Sequence, residues 1–234
     1  MTKIGFTKSK SDAAVFYRHH GKGFAIIAIA IDDLMMMVSN DNIIHEIKAD
    51  LMKIFKMKDL GELCWLLNLK IEQDRTSKLI SFSQKVYIDK MMNWFHLENS
   101  KTHTTPLDPN IQPTKDQCSS TDSEKATMSK IPYRKAIRSL MWAAVATRPY
   151  IAFVVSLLSQ FLENPGEIHW KAVKRVMRYL NGTKNYKLTL VRNHDSLFGY
   201  ADANWTSQDH RHSILAISCR SMEELFHGVV KNRI

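Results

Sequence analysis

The segment 24–38, FAIIAIAIDDLMMMV, is an apolar run with two adjacent aspartates at its centre, and it limits the possible folds more than any other stretch. Residues 24–31 and 34–38 are rich in β-favouring side chains, which predicts a hairpin with Asp32 and Asp33 at its tip. The run is too short to span a bilayer, and the two acids oppose insertion, so we expect no membrane partner. Taken alone, the acid pair fits either turn chemistry or a carboxylate site for divalent metal ions.

The flanking segments predict an α+β fold. Residues 39–41 can cap a helix, and strands are expected within 62–74 and 78–84. Ser83 can cap a further helix over about 84–96. The apolar faces of the two helices are predicted to be Ile43, Ile44, Ile47, Leu51 and Phe55 for the first, and Val86, Tyr87, Met91 and Phe95 for the second.

Residues 100–131 contain three of the six prolines and no aromatic residue, so they are predicted to be a linker or a long surface loop. Three helical patterns follow, and Pro132 and Pro149 suit the first turns of two of them. The third pattern covers about 167–181, before Gly182. Its apolar face is Trp170, Val173, Val176, Met177 and Leu180.

A second face of this third helix is basic. The chain carries a net charge of +10, and residues 132–192 hold 11 Lys or Arg against two acids. Such an excess indicates a polyanionic partner, most commonly nucleic acid. Four like charges recur at helical spacing, which fits either a solvated face or one that contacts phosphates. They are Lys171, Lys174, Arg175 and Arg178.

Other features favour an intracellular protein, in the cytoplasm or nucleus. The three cysteines are widely spaced, and no secretory leader opens the sequence. The pairs His19–His20 and His210/His212 lack Cys or carboxylate partners at ligand spacing, so we expect them at the surface. Strands are predicted over 186–191 and 196–205, with no continuation of the sheet after about 207.

Longer motifs resemble, in order, the Pol polyprotein of copia-type retrotransposons. Besides the acid pair they are GFTKSKSDAAVFYRH, FKMKDLGELCWLLNLKIEQD, SFSQKVYIDKMM, TTPLDPN, the long run from IPYRKAIRSL to GTKNYKL, and GYADANW. The resemblance covers residues 3–206. It implies the back half of a reverse transcriptase palm in 1–99, a linker in 100–131, a thumb- or connection-like helical region in 132–185, and an incomplete ribonuclease H-like sheet in 186–234.

The resemblance also implies roles for individual residues. Asp32 would be a metal ligand with Asp33 as a second or supporting one, Mg²⁺ the cofactor, and Asp202 the first metal-binding acid of ribonuclease H. The family's third polymerase aspartate is expected upstream of this pair, where the sequence offers only Asp12, an ordinary loop acid. Asn204 stands where the family has a second ribonuclease H acid, and the tail after about 213 is expected to be a shifted frame or misjoined exon.

The expected function is therefore that of a reverse transcriptase fragment that is inactive alone and binds a template–primer duplex without sequence preference. Two alternatives stay open. An upstream palm and fingers half of Pol could complement the chain to give an active polymerase, or the chain could be the product of a decayed element that does not fold uniquely. Four positions depart from the family's usual residues: Ala30 replaces an aromatic, Asn68 and Arg138 replace glycines, and Tyr150 replaces an aspartate.

Overall fold

The computed structural model describes residues 1–21, 23–30, 33–108, 110–111, 113–191, 198–204, 213–220 and 229–233, the last three ranges as backbone only. The chain divides into two compact units, Met1–Leu63 (unit 1) and Cys64–Ile234 (unit 2). The described residues form two four-stranded antiparallel sheets, a three-stranded sheet and six α-helices. The predicted α+β class is therefore confirmed. None of the described helices has the length and hydropathy that a membrane span requires.

Unit 1 is a sheet with one helix packed on it. The strands β1 (Thr7–Lys8), β2 (Val15–His20), β3 (Gly23–Ala30) and β4 (Asp33–Val38) are adjacent in chain order, and α1 follows at Asp41–Ile54. The Asn40 side chain accepts the Ile43 N–H at 3.1 Å and so caps α1. The core is made by side chains from the sheet and α1, namely Phe6, Ala25, Ile27, Ile43, Ile47 and Leu51.

The predicted hairpin and first helix are confirmed, with one error in the apolar face. Phe55 follows the last residue of α1 and is exposed, because the chain turns to an extended conformation there. Ile44 is only half buried, since it lies one position round from the Ile43–Ile47–Leu51 stripe.

Unit 2 contains a four-stranded sheet in which three consecutive strands are joined by a fourth that is distant in sequence. Its order is β5 (Trp65–Leu66), β6 (Leu69–Asp74), β7 (Leu79–Ser83) and β8 (Lys187–Val191). Asn68 turns the chain between β5 and β6 with φ of 65°, in the left-handed region that glycine and asparagine tolerate best. The predicted strands within 62–74, 78–84 and 186–191 are confirmed.

The helices of unit 2 are α2 (Lys85–Trp94), α3 (Asp122–Ser129), α4 (Tyr133–Ala146), α5 (Ala152–Ser159) and α6 (Glu167–Gly182). Helices α2, α4, α5 and α6 share a core of 21 buried residues, which includes the predicted apolar face of α6 except half-buried Trp170. On α2 the prediction was partly wrong, because Val86 is exposed and Ile88 is buried instead. Pro132 immediately precedes α4, Pro149 opens a 3-10 turn before α5, and α6 includes Gly182.

Two regions contain more regular structure than the sequence indicated. Helix α3 lies within 100–131, capped at Thr121. The tail forms β9 (Phe198–Asn204), β10 (Ser213–Arg220) and β11 (Val229–Arg233), with β10 paired antiparallel to both neighbours. The expectation of no sheet after 207 was therefore wrong, because the short apolar run ILAIS within β10 is enough to form a strand.

Candidate metal-binding hairpin and nucleic-acid interface

The β3–β4 hairpin places one described carboxylate at its end. Ala30 pairs with Asp33 and Ile29 pairs with Leu34 at the end of the described ladder. Asp33 is the first residue of β4 and is exposed. Asp32 lies outside the described residues.

Alternation along the strands separates Asp33 from the core of unit 1. Ile29, Leu34 and Met36 pack against the cluster that includes α1. The residues that alternate with them, Asp33 and Met37, therefore lie on the opposite side of the sheet, which we call the open face. Phe24 and Met37 are 42% and 64% exposed there. Asp33 thus stands at one end of a largely apolar face that none of the described elements of unit 1 covers.

The donor set fits a hard cation only in part. Carboxylate oxygens are the ligands that Mg²⁺ prefers, commonly one or two of them together with phosphate oxygens. Among the described residues no group of three or more His, Cys, Asp or Glu side chains could hold a metal ion. Asp33 alone of the predicted metal ligands has a described side chain, and Asp202 is placed only by its backbone in β9, paired with Ala216. Asp12 accepts the Ala14 N–H at 2.8 Å, as expected of a loop acid.

The predicted basic face of α6 is largely engaged within the chain. Lys171 pairs with Glu167 at 2.9 Å, and the bond lowers the pKa of the Glu167 carboxyl. Arg175 pairs with Asp108 at 3.0 Å. The Lys174 ammonium lies 5.8 Å from the centre of the Trp170 ring. Two carboxylates therefore offset the repulsion among the four cations.

A second basic surface lies where α2 meets α4, and it was not predicted from the sequence. The Lys135 ammonium is 5.4 Å from the centre of the half-exposed Trp94 ring. The Lys90 ammonium donates to Asn68 Oδ1 at 3.3 Å. Arg138 is exposed one turn beyond Lys135 on α4. We call the surface formed by Lys90, Trp94, Lys135 and Arg138 the α2–α4 surface.

No carboxylate of the described residues pairs with Lys90, Lys135 or Arg138, nor with exposed Arg134 beside them. Cations interleaved with an aromatic ring suit a polyanion that carries planar bases. The available signal was the spacing of Lys135 and Arg138, but nothing in the sequence placed Trp94 beside them.

Arg148 is a buried cation without a described carboxylate partner. Its side chain donates to the Tyr150 hydroxyl at 2.8 Å and to the Tyr186 carbonyl at 2.7 Å, and Nε has no partner among the described residues. In the family that this sequence resembles, the position of Tyr150 is usually an aspartate. Arg148 therefore ties the α4–α5 junction to the segment that leads into β8, through neutral acceptors only.

His169 fixes the start of α6 to the segment before α3. Nδ1 accepts the Gly166 N–H at 2.8 Å, so Nε2 carries the proton and donates to the Thr114 carbonyl at 3.0 Å. The ring stacks on Phe161 at 3.9 Å. Burial lowers the pKa of His169, which favours this neutral form. The approach is so close that a Cβ on Gly166 would lie 1.9 Å from the Gln117 carbonyl oxygen.

Comparison with known proteins gives a consistent result. The family described as reverse transcriptase (RNA-dependent DNA polymerase) matches residues 1–109. The chain is 40% identical over 200 residues to the retrovirus-related Pol polyprotein from transposon TNT 1-94 of Nicotiana tabacum, which covers 85% of this chain and 15% of that protein. It is 34% identical over 203 residues to the Pol polyprotein from transposon RE1 of Arabidopsis thaliana, covering 86% and 13%.

A shorter relative is the putative transposon Ty5-1 protein of Saccharomyces cerevisiae, 31% identical over 189 residues, with 79% of this chain and 58% of that protein covered. The chain thus spans about a seventh of the length of the first two relatives. No solved structure matches it significantly.

Proposed function

The chain belongs to the reverse transcriptase region of copia-type retrotransposon Pol polyproteins, and on that premise we propose that it is part of an RNA-directed DNA polymerase that binds a template–primer duplex inside the cell. The observation that carries the proposal is the α2–α4 surface, where Lys135 lies over the half-exposed Trp94 ring and the exposed cations of that surface have no described carboxylate partner. We propose further that the 234 residues alone bind nucleic acid but do not extend a primer.

The proposed roles of the segments follow the resemblance. Residues 1–99 would supply part of the palm, 132–185 a thumb- or connection-like region, and 186–234 the start of a ribonuclease H-like sheet, with 100–131 between them. The hairpin and open face of unit 1 support the first role, because they present Asp33 on the side of the sheet away from α1. Asp32 and Asp33 would hold Mg²⁺, which when bound supplies positive charge to phosphate oxygens.

The α2–α4 surface would contact phosphates without selecting a sequence. Each Lys or Arg that neutralises a phosphate releases condensed counterions, so affinity falls with salt by a slope of about 0.9 per contact. Trp94 offers a flat ring to an unpaired base at a duplex end or overhang. The predicted basic face of α6 would make a smaller contribution, because Lys171 and Arg175 are already paired with carboxylates. Its four residues are Lys171, Lys174, Arg175 and Arg178.

A titration of a fluorescent duplex with the full chain, at several salt concentrations, tests the proposal. Three double variants remove the same charge from different places: Lys135→Ala with Arg138→Ala, Lys171→Ala with Lys174→Ala, and, as a control, Lys115→Ala with Lys125→Ala. The control lysines are exposed, and no ion pair of theirs occurs among the described residues. We expect the α4 pair to weaken binding about 10- to 100-fold and to reduce the salt slope by about 2.

The α6 pair should have a smaller effect, because Lys171 is already paired with Glu167. The control should change affinity least. Equal losses in all three variants would mean that binding follows net charge, and the α2–α4 surface would not be a site.

The catalytic part of the proposal has its own test. Incubation with a primed template and Mg²⁺ or Mn²⁺ should give no extension. Incorporation of nucleotides that disappears in Asp32→Ala would contradict the proposed inactivity. Cleavage of an RNA–DNA hybrid that needs Asp202 would show that the ribonuclease H site is working.

One observation favours complementation by an upstream half of Pol as a second candidate. Strand β4 is an edge of its sheet among the described strands, and Met37 on it is exposed. An unpaired edge can accept a further strand through backbone hydrogen bonds. Mixing the chain with a polypeptide that carries the upstream palm and fingers should then give primer extension that depends on Asp32, and its absence in a stable complex would exclude this candidate.

A further inference from the structure

Residues 102–108, which we call the strap, lie along one side of α6. Thr102 is next to Gly182, where an added Cβ would come within 3.1 Å of the threonine Cβ. Leu107 packs against the large core of unit 2. Gly182, Arg178 and Arg175 share one side of α6 because they are spaced by four and three residues. The strap therefore runs beside the two arginines of the predicted basic face.

The strap occupies the guanidinium group of Arg175. Nη1 contacts Asp108 Oδ2 at 3.0 Å, and Nη2 donates to Thr105 Oγ1 at 3.0 Å. The two charged side chains are 23% and 26% exposed, so the pair is partly shielded from water. A guanidinium group that offers two parallel N–H donors is the usual partner of a phosphate. Here those donors are taken by the chain itself.

The surroundings of the strap are rich in positive charge. Burial is the main cause that lowers the pKa of His103, and Arg175, Arg178 and Lys101 lower it further. Asp108 is the acid that opposes them there. The Nε atoms of Arg175 and Arg178 are buried without a hydrogen-bond partner among the described residues. The carboxylate of Asp108 thus stands where a phosphate would meet several cations at once.

We propose that the strap is an autoinhibitory element in which Asp108 competes with nucleic-acid phosphate for Arg175. This inference rests on the proposed nucleic-acid binding and adds a control on it. When a phosphate replaces Asp108, one charged contact is exchanged for another, so Arg175 adds little to affinity. Without the carboxylate, Arg175 is free to neutralise a phosphate and release its counterions.

The test compares single variants of the full chain in the same duplex titration. Asp108→Asn keeps the shape of the side chain and removes its charge. Asp116→Asn removes the same charge at an exposed position in the same 100–131 segment, with no ion pair among the described residues, and Asp108→Glu keeps the charge. We expect Asp108→Asn to tighten binding about 3- to 10-fold at low salt and to steepen the salt slope by about 0.9, one added phosphate contact.

Asp116→Asn and Asp108→Glu should keep the wild-type slope. Adding Arg175→Ala to Asp108→Asn should abolish the gain, which a merely structural role of Asp108 would not predict. If wild type binds and Asp108→Asn has the slope of Asp116→Asn, the strap proposal fails and the proposed function stands. If no variant binds the duplex, the proposed function fails and the strap proposal fails with it.

Discussion

The two units differ in how much core supports the residues that carry chemistry. Among its described residues, unit 1 buries a cluster of six hydrophobic side chains on one side of its sheet, whereas Phe24 and Met37 on the side with Asp33 are exposed. Among the described residues, unit 2 buries a cluster of 21 hydrophobic residues from four helices and the segments next to them, and the cations of the α2–α4 surface are exposed outside that cluster. The hairpin with the carboxylate therefore stands on the weaker support, since burial of apolar area is the main stabilising contribution.

The unfolding of the two units can be followed by different probes. All five tryptophans follow residue 63 and so belong to unit 2. In a urea titration their fluorescence reports on unit 2 alone, whereas far-UV circular dichroism reports on both units. Two transitions that do not coincide would mean that unit 1 unfolds separately, and coincident ones that the units unfold together.

The largest expected effect is in the core of unit 2. Leu140→Ala removes a fully buried side chain of α4 and leaves a cavity, so the free energy of unfolding should fall by about 3–5 kcal/mol. Urea unfolding followed by tryptophan fluorescence measures the change. Met141→Ala, at the neighbouring exposed position, should change it by less than about 1 kcal/mol. Similar losses in both variants would argue against the packed core.

The corresponding change in unit 1 should be smaller and seen by a different probe. Ile47→Ala in α1 should lower the free energy of unfolding by about 2–4 kcal/mol, because Ile47 is buried against the sheet. We expect the dichroism transition to move while the fluorescence transition stays. Ile54→Ala, exposed on the same helix, is the control. A matching shift in fluorescence would show that the units are coupled.

A third prediction concerns the buried guanidinium of unit 2. Tyr150→Phe removes the hydroxyl that accepts from Arg148 and should destabilise unit 2 by about 1–3 kcal/mol. Tyr186→Phe keeps the ring and backbone carbonyl that contact Arg148 and should have little effect. Fluorescence-detected unfolding distinguishes the two. An unchanged Tyr150→Phe variant would mean that water replaces the hydroxyl at no cost.

The smallest effect is a pH dependence confined to unit 2. The pKa of His169 is lowered in the fold, so below the ordinary value of about 6.5 the unfolded chain binds a proton that the folded chain does not. The contribution of His169 is complete above that pH and is lost as pH falls toward the folded pKa, with a slope of at most about 1.4 kcal/mol per pH unit.

Fluorescence-detected unfolding between pH 7 and 5 should show this slope. His169→Gln should reduce it and leave the part that His103 contributes, because the pKa of His103 is lowered as well. Carboxylates titrate at lower pH. Glu72, for example, has its pKa lowered to about 2 by Lys187 and Lys70. The stability that its ionised form contributes is therefore lost only as the pH falls below its ordinary pKa of 4.5 toward about 2, outside the range of His169. The same slope in the variant would assign the pH effect to other groups.

Local patterns predicted the elements that local physics determines. The two β-favouring runs of the segment 24–38 pair as a hairpin where they are described, as expected, and the apolar stripe of α6 follows its helical period. Helix α3 was missed although its capping signal was present. Thr121 Oγ1 accepts the Glu124 N–H, and the Glu124 carboxylate accepts the Thr121 N–H. The proline-rich composition around it outweighed that short signal.

What the sequence could not provide are contacts between distant residues. Asp108 and Arg175 are 67 positions apart, and no periodicity links them. The α2–α4 surface likewise depends on the packing of two helices, and the burial of Arg148 contradicts what its residue type favours. The predicted metal site stays a prediction, since the structure bears only on the hairpin that presents Asp33.

The pairing of β7 with β8 has a consequence for synthesis on the ribosome. Ser83 pairs with Lys187, which is translated 104 residues later. At about 5–20 residues per second, β7 waits roughly 5–20 seconds for its partner, and during that time one of its edges has no neighbour. Helices α4 to α6 are translated within this interval. The order of translation therefore lets the helical core of unit 2 assemble before its sheet can be completed.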